Sequence, residues 1–551
     1  MDFRYQLIAL LHRCTSLSMD EIAQRIAVPP DPALGDYAFP CFKLDSNAHQ
    51  AAQNLKSKIS LPSYLSKIDV AGPYLNFYLD PAVVAEQTIA EIKKQKDRYG
   101  AGKEKKKVVV EFCSPNTNKP LHLGHIRNMA IGDAVCRLLA FQGNTVHPVS
   151  VVNDRGIHIC QSMLGYQKWG NHKKPDKKSD HFVCDYYVLF AKHAKEDENV
   201  KNEAQELLLK WERNDKSTRA LWKKMNGWVL KGFAQTYKRF GIRFEKEYFE
   251  STYYQDGKEV VLEGLKRGIF EKDHTDAVTA LLEMYDLPNK VLLRGDETSL
   301  YITQDLYLAG MRYKDYKFDQ MIYVVASEQN LHFRQLFKIL ELLGRPYARQ
   351  MYHLSYGLVN LPTGRMKSRE GTVVDADNLI DEVASLAEQE VQTRYALLSE
   401  KKRKYRAEFI ALGAIKFFVL RTDPNRDMIF NPEESISFDG ETGPYIQYTH
   451  ARACSILRKA GTKPRTVQYS LLDHLLEQRV LKLLAQFPER AQEVSTQYKI
   501  HLLCRYLLDL SQAFNEFYQE CPVLKADKEI KNARLALVDA SRQVLKNGLY
   551  L

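Results

Sequence analysis

The sequence predicts an α/β protein: a parallel-sheet domain interrupted by helices, with a small α+β module before it and an all-helical bundle after it. Three observations carry this reading. The β-branched run KKVVVEF (106–112) is followed by a polar loop, a helical stretch from about Leu123 to Gly143, and a second strand-like run, NTVHPVSVV (144–152). Strand, helix and strand within about 45 residues make a right-handed βαβ unit, the opening of sheets that bind nucleotides at their carboxyl edge. Strand-like runs resume only after a long charged stretch, at KVLLRG (290–295), SLYITQD (299–305) and QMIYVVAS (320–327). Beyond about residue 400 helical periodicity dominates, and no glycine occurs between Gly461 and Gly548.

Each region follows from its own texture. In 1–105, amphipathic helical stretches flank PPDPALGDYAFP (29–40), and AGPYLNFYLD (71–80) alternates as a strand does. The sheet domain spans 106–390 and carries a helical insertion at about 160–290, marked by tryptophans at 169, 211, 222 and 228. The bundle takes 391–551. Neither internal repeats nor a long low-complexity tract interrupts this order.

Composition narrows the function classes. With 551 residues, 45% of them hydrophobic, there is apolar material for about three or four packed domains. No apolar run approaches the roughly 20 residues of a membrane span, and MDFRYQLIALLHRC is too short and too charged for a secretory signal. The nine cysteines are scattered without a CxxC pair, which disfavours structural zinc and predicts reduced thiols. A net charge of +11 suits a polyanionic partner, but KEKKK (103–107), KKPDKK (173–178) and KKRKYR (401–406) are by themselves ordinary solvated surface.

The stretch SPNTNKPLHLGHIRN (114–128) concentrates the chemistry. His122 and His125 are three apart, so both can lie on one helix face and share a metal. Against a metal, Leu123 and Gly124 intervene and no cysteine or glutamate ligand is near. Both histidines could instead cap and pack a helix start. The third reading is a phosphate cradle, in which Pro120 opens the helix, Gly124 admits a ligand, and Lys119 and two imidazoles join the positive helix terminus. The common phosphate loops are absent: no GxGxxG follows a strand, and GAGKE (100–104) fails as a P-loop, with Asp97 and Glu104 at its defining positions. The four letters HLGH leave all three readings open.

The wider context separates them. HLGH resembles the HIGH motif of class I aminoacyl-tRNA synthetases, and EFCSPNTNKPLHLGH (111–125) is similar to the form found in arginyl-tRNA synthetases. GDYAFP (35–40), GPYLNFYL (72–79), NDRGIHI (153–159), YITQD (301–305), ASEQNLHFRQ (326–335), RMKSREGTVV (365–374) and GPYIQYTHAR (443–452) continue that resemblance along nearly the whole chain. It implies a Rossmann-like (HUP-type) catalytic domain, an N-terminal module that touches the tRNA elbow, and a C-terminal anticodon-binding bundle. The implied enzyme is a cytoplasmic monomer that uses ATP and Mg²⁺, takes L-arginine and arginine tRNA as partners, and engages neither membrane nor DNA. The resemblance further implies that tRNA binds before arginine is activated efficiently. KNGLYL closes the chain somewhat short of where such enzymes commonly end.

The same resemblance assigns residues. His122 and His125 would hold the ATP phosphates, Gly124 would leave room for the adenosine, and Pro115 and His332 would complete the ATP site with Met366, Lys367 and Ser368. The second ATP loop departs from the class pattern KMSKS: Arg365-Met366-Lys367-Ser368-Arg369 puts a serine where the second lysine belongs. Lys119 stands where arginyl enzymes of this variant carry a compensating lysine. Asp305 and Glu250 would face the guanidinium and Tyr301 would hydrogen-bond it, with Phe249 where a glycine often precedes that glutamate. Ser114, Asn116 and Gln329 would hold the α-amino and carboxylate end, with Glu111 nearby. Tyr445, Tyr448 and Arg452 share one helical stripe and would read anticodon-loop bases. No dedicated metal residues are expected, because the triphosphate itself binds magnesium. Two rivals remain: a small-molecule nucleotidyltransferase, which has no need of the terminal domains, and an inactive tRNA-binding paralogue, which would not keep the active-site set.

Overall fold

Leu75 and Phe77, two apart in the alternating run at 71–80, are fully buried, and the run is a strand. The computed structural model describes residues 3–551 apart from 297, 299, 361–373, 438–439 and 462–465. It divides into two units: one of Met1–Ala101, Tyr445–Gln492 and Arg505–Tyr550, the other of Gly102–Pro444 with Glu493–Cys504 and Leu551.

In the first unit, β1 (Tyr37–Pro40), β2 (Leu65–Ala71) and β3 (Tyr74–Leu79) form an antiparallel sheet in the order β1-β3-β2. Helices α1 (Phe3–Cys14) and α2 (Ala48–Lys58) cover it, with Leu7, Leu11, Phe39 and Leu55 in the shared core. Asp80 caps α3 (Pro81–Gln95) by accepting from the Val83 N–H at 3.0 Å, and Pro81 takes the first turn, where its missing N–H costs nothing.

The second unit holds the predicted sheet. Strands β4 (Lys107–Glu111), β5 (Thr145–Val152), β6 (Lys246–Phe249), β7 (Gln320–Ala326) and β8 (Met351–Tyr356) are all parallel, in the order β8-β7-β4-β5-β6. Helix α4 (Leu123–Phe141) crosses between β4 and β5 as the sequence predicts. Gly132 lets α4 lie against Phe112: a Cβ there would stand 2.2 Å from the ring. The insertion supplies α5 (Ile157–Trp169), α6 (Ser179–Glu196), α7 (Asn199–Glu212) and α8 (Lys216–Phe240).

Three expectations need correction. The stretch 160–290 is not purely helical, because KEYF (Lys246–Phe249) returns to the sheet as edge strand β6. KVLL (Lys290–Leu293) is a strand, but in a separate antiparallel sheet of three. SLYITQD is no strand: α9 (Tyr301–Tyr316) begins at its tyrosine. Its apolar run is a helix start that buries Ile302, Leu306 and Ala309 at helical spacing. After α10 (Asn330–Leu342), β9 (Val359–Asn360) pairs in parallel with β10 (Met428–Ile429), and α11 (Ala376–Arg394) and α12 (Glu400–Leu420) lie between them in the chain.

The C-terminal run is helical as predicted: α13 (Gly443–Ala460), α14 (Leu475–Gln497), α15 (Ile500–Glu520) and α16 (Lys528–Tyr550). Pro488 lies inside α14. Lacking an N–H, it leaves the Leu484 carbonyl without its helical partner, and the buried Tyr99 hydroxyl donates to that oxygen at 2.9 Å. Asn547 of α16 donates to the Lys96 and Tyr99 carbonyls at 3.0 and 3.2 Å, so one short segment after α3 is held by two helices. All nine cysteines are free thiols, and no described helix is long and apolar enough to cross a membrane.

Candidate active site

The site is built where β4 ends. Cys113 takes a left-handed backbone (φ 56°), held by its N–H donating to Asn128 Oδ1 at 2.5 Å and its carbonyl accepting from Ser150 Oγ at 2.5 Å. Such a conformation costs a non-glycine residue about 1–3 kcal/mol and persists only where neighbours enforce it. The reversed chain brings Ser114 back over the strand, where its hydroxyl donates to Glu111 Oε1 at 3.2 Å. Glu111 is buried and ion-paired with the buried Arg312 of α9. Burial, with the nearby Asp305 charge, pushes its carboxyl above the usual range, against the pull of Arg312. The buried Pro115 accepts from the Asn153 N–H at 3.0 Å, and Thr117 N–H donates to the Asn153 carbonyl at 3.1 Å, leaving Asn116 exposed between them.

HLGH then caps α4 with its own histidines. His122 is the N-cap: its Nδ1 accepts from the Gly124 N–H at 3.2 Å, and its N–H donates to His125 Nδ1 at 3.1 Å. Both Nδ1 atoms are acceptors, so each ring carries its proton on Nε2. Burial, reinforced by the neighbouring Lys119 charge, drops the His122 pKa to about 3 and holds His125 well below its ordinary value. Both rings are therefore neutral Nε2–H donors at neutral pH, 3.9 Å apart centre to centre, at a helix N-terminus that favours anions. Gly124 suits this pair, since a Cβ would crowd His122 Cε1 at 3.0 Å. Lys119 is half-buried beside them, and burial lowers its pKa.

Arg365, Met366, Lys367, Ser368 and Arg369 lie outside the described residues. The chain re-enters description directly on the HLGH loop: Leu123 N–H donates to the Val374 carbonyl at 3.0 Å and Ala376 N–H to the Leu121 carbonyl at 2.9 Å. Upstream, Arg127 of α4, fully buried, donates to the carbonyls of Gly357 (2.7 Å), Leu358 (3.0 Å), Pro424 (3.3 Å) and Arg426 (2.8 Å). The segments on either side of 361–373 are thus fastened to one helix.

Beyond Val374, Asp375 caps α11, and Asp377 accepts from Lys178 Nζ at 2.8 Å and Thr236 Oγ1 at 3.0 Å. His181 Nε2 lies 3.3 Å from Asp375 Oδ2 and 3.7 Å from Asp377 Oδ2. Asp180, His181 and Asp377 could together ligate a metal, but Lys178 already sits 2.6 Å from Asp180 and 2.8 Å from Asp377. The nearby Asp377 carboxylate raises the His181 pKa, and Asp375 and Asp180 add to it against burial and Lys178. A raised base stabilises the fold fully below its ordinary pKa and loses that contribution as pH rises through the folded value. The melting temperature should therefore fall as pH rises above about 6.5, and His181→Gln should flatten that dependence in a thermal melt series.

The other residues line the carboxyl edge. Tyr301 opens α9 with 79% of its surface exposed, and Asp305, one turn on, lies 2.8 Å from His332 Nε2. His332 is in the first turn of α10, and the exposed Gln329 precedes it in the short turn Ser327–Gln329 that follows β7. Asp305 keeps 38% of its side chain exposed. Glu250, by contrast, is 5% exposed and lies 3.4 Å from Arg155 Nη1. Burial raises its pKa, and Arg155 and Gln304 partly offset this. In the first unit, half-buried Tyr445, Tyr448 and Arg452 follow one another along α13; the Arg452 guanidinium stacks 4.9 Å from the Tyr448 ring and donates to Asn515 Oδ1 at 2.5 Å.

Comparison with known proteins fits this geometry. The family "tRNA synthetases class I (R), catalytic domain" matches residues 88–432. The chain belongs to the arginyl-tRNA synthetases. Its ends match "Arginyl tRNA synthetase N terminal domain" at 2–79 and "DALR anticodon binding domain" at 446–551. The arginine–tRNA ligase of Treponema denticola is 43% identical, covering 98% of this chain and 95% of that protein. That of Borreliella burgdorferi is 38% identical, covering 99% and 96%. Among solved structures, Thermus thermophilus arginyl-tRNA synthetase aligns with a TM-score of 0.84 at 26% identity, covering 95% of this chain and 94% of that one. The Plasmodium falciparum arginyl-tRNA synthetase shares the fold with a TM-score of 0.79 at 22% identity, covering 100% and 96%.

Sequence reasoning passed over three residues that this synthetase uses to build the site. Asn128 donates to the Val324 carbonyl at 2.8 Å and the Tyr356 hydroxyl at 2.9 Å while accepting from Cys113, so it ties α4 to β7, β8 and the turn after β4. Arg127 had a legible signal: it is an arginine on the helical face of Leu123, Ala130 and Ala134, all buried. Arg155 had none, because its partners come from distant parts of the chain.

Proposed function

We infer that this chain is an arginine–tRNA ligase. The arginine carboxylate attacks the α-phosphorus of ATP, giving arginyl-adenylate and pyrophosphate. A hydroxyl of the tRNA 3′-terminal adenosine then attacks the adenylate carbonyl, and AMP leaves. The observation that carries the reading is the pair of neutral Nε2–H donors at the α4 N-terminus, opening on the same sheet edge as Asp305. Such donors stabilise charge gathering on the phosphates without supplying a nucleophile. Arginine-dependent charging of total tRNA tests it; no acid-precipitable labelled arginine would sink it.

Within that reaction, His122 and His125 hold the phosphates, with Pro115 and His332 bordering the nucleotide and Met366, Lys367 and Ser368 on the second loop. Lys119 supplies the cation absent at Ser368; its place beside both imidazoles supports this. Lys119→Ala should lower kcat about a hundredfold while the arginine KM moves less than about threefold. Asp305, Tyr301 and Glu250 form the guanidinium end, and Ser114, Asn116 and Gln329, backed by Glu111, the α-amino and carboxylate end. Magnesium, carried by the triphosphate, would neutralise phosphate charge, since Lys178 already neutralises the Asp180–Asp377 cluster. Tyr445, Tyr448 and Arg452 offer stacking and a guanidinium to unstacked anticodon bases. The N-terminal module meets the tRNA elbow. The enzyme works as a cytoplasmic monomer, away from DNA and membranes; its nine unbridged thiols support a reducing compartment.

A further inference from the structure

The NDRGIHI motif has no role in the chemistry above, yet its corner grips the guanidinium end of the pocket. Asp154 accepts from the Ser251 N–H at 2.8 Å and the Ser251 hydroxyl at 2.6 Å, fixing the residue next to Glu250. Arg155 reaches Glu250 Oε1 at 3.4 Å with Nη1 and Glu212 Oε1 at 2.9 Å with Nη2. Its guanidinium lies 4.1 Å from the Tyr254 ring centre and 5.4 Å from that of Trp211. Trp222 donates its indole N–H to the Asp154 carbonyl at 2.6 Å, so α7 and α8 of the insertion hold this corner from two sides.

A buried carboxylate without a counter-ion takes up a proton, and a neutral acid does not attract a guanidinium. Glu250 can serve arginine selection only if something keeps it charged and still. We propose that Arg155 is a positioning residue for arginine selection, holding Glu250 ionised and fixed while anchored on Trp211 and Glu212, so that the helical insertion supports amino-acid recognition. The inference rests on the assignment of Glu250 to the guanidinium end.

Steady-state charging by the full-length enzyme, with folding followed by thermal melts, tests it. Glu250→Gln should raise the arginine KM about tenfold, and Arg155→Met should raise it about as much, with kcat and the tRNA KM within about twofold of the parent. Arg155→Lys should recover most of the loss, and adding Arg155→Met to Glu250→Gln should add nothing. Glu212→Gln, at the solvent end of the pair, keeps the test open if Arg155→Met does not fold: it should raise the arginine KM about threefold. An unchanged KM in Glu250→Gln overturns the site assignment. A raised KM there, with an unchanged or lowered KM in Arg155→Met or Glu212→Gln, overturns the role of Arg155 alone. A full Arg155→Met effect persisting on the Glu250→Gln background overturns it as well.

Discussion

With His125 replaced by alanine, charging slows about a hundred- to a thousandfold in kcat, while the KM for arginine moves by less than about threefold. The reason is the fixed direction of the ring. Its Nδ1 is occupied by the His122 N–H, so its one proton sits on Nε2, and that donor is lost in the substitution. The lost cap costs about 1 kcal/mol, too little to unfold the unit. Single-turnover charging beside a thermal melt separates the two effects, and an unchanged turnover would return the pair to simple helix capping. Because both imidazoles stay neutral, the parent enzyme should show no histidine inflection from this pair across about pH 5 to 8.

Asp305→Asn should raise the arginine KM about a hundredfold and leave the ATP KM within about twofold. The substitution keeps the shape and an oxygen for His332, 2.8 Å away, but removes the charge that a guanidinium pairs with. Glu250 does not by itself replace it, since that carboxylate is shared with Arg155. Steady-state charging with arginine varied at saturating ATP and tRNA gives the answer. A KM close to the parent value would move guanidinium recognition elsewhere.

The βαβ opening was legible because Val108, Val109 and Val110 form an unbroken apolar run, which only a strand buried on both faces needs. Strand β6 was not: KEYF is four residues long, half of them charged, and it lies at the sheet edge, where little burial is demanded. The start of α9 misled, since Leu300, Tyr301, Ile302 and Thr303 form a short run rich in strand-favouring residues before the helical spacing becomes visible. At the site, residue types were readable from HLGH and its approach. Pairing was not, because it is made through space: Arg155 meets Glu250 from 95 positions away. The residue types named Asp305 and Glu250 for the guanidinium end, and the fold pairs the second of them with Arg155.

Pro488 and Tyr99 have a consequence for inheritance. Removing the proline restores an N–H that can also donate to the Leu484 carbonyl, so that oxygen no longer depends on the hydroxyl. Removing the hydroxyl alone leaves that carbonyl bare. Losing the hydroxyl while the proline remains costs about 1–3 kcal/mol, whereas losing both need cost little. The two positions should covary among descendants of this chain, with the tyrosine just after the first module exchanged only where the proline deep in the terminal bundle is exchanged too.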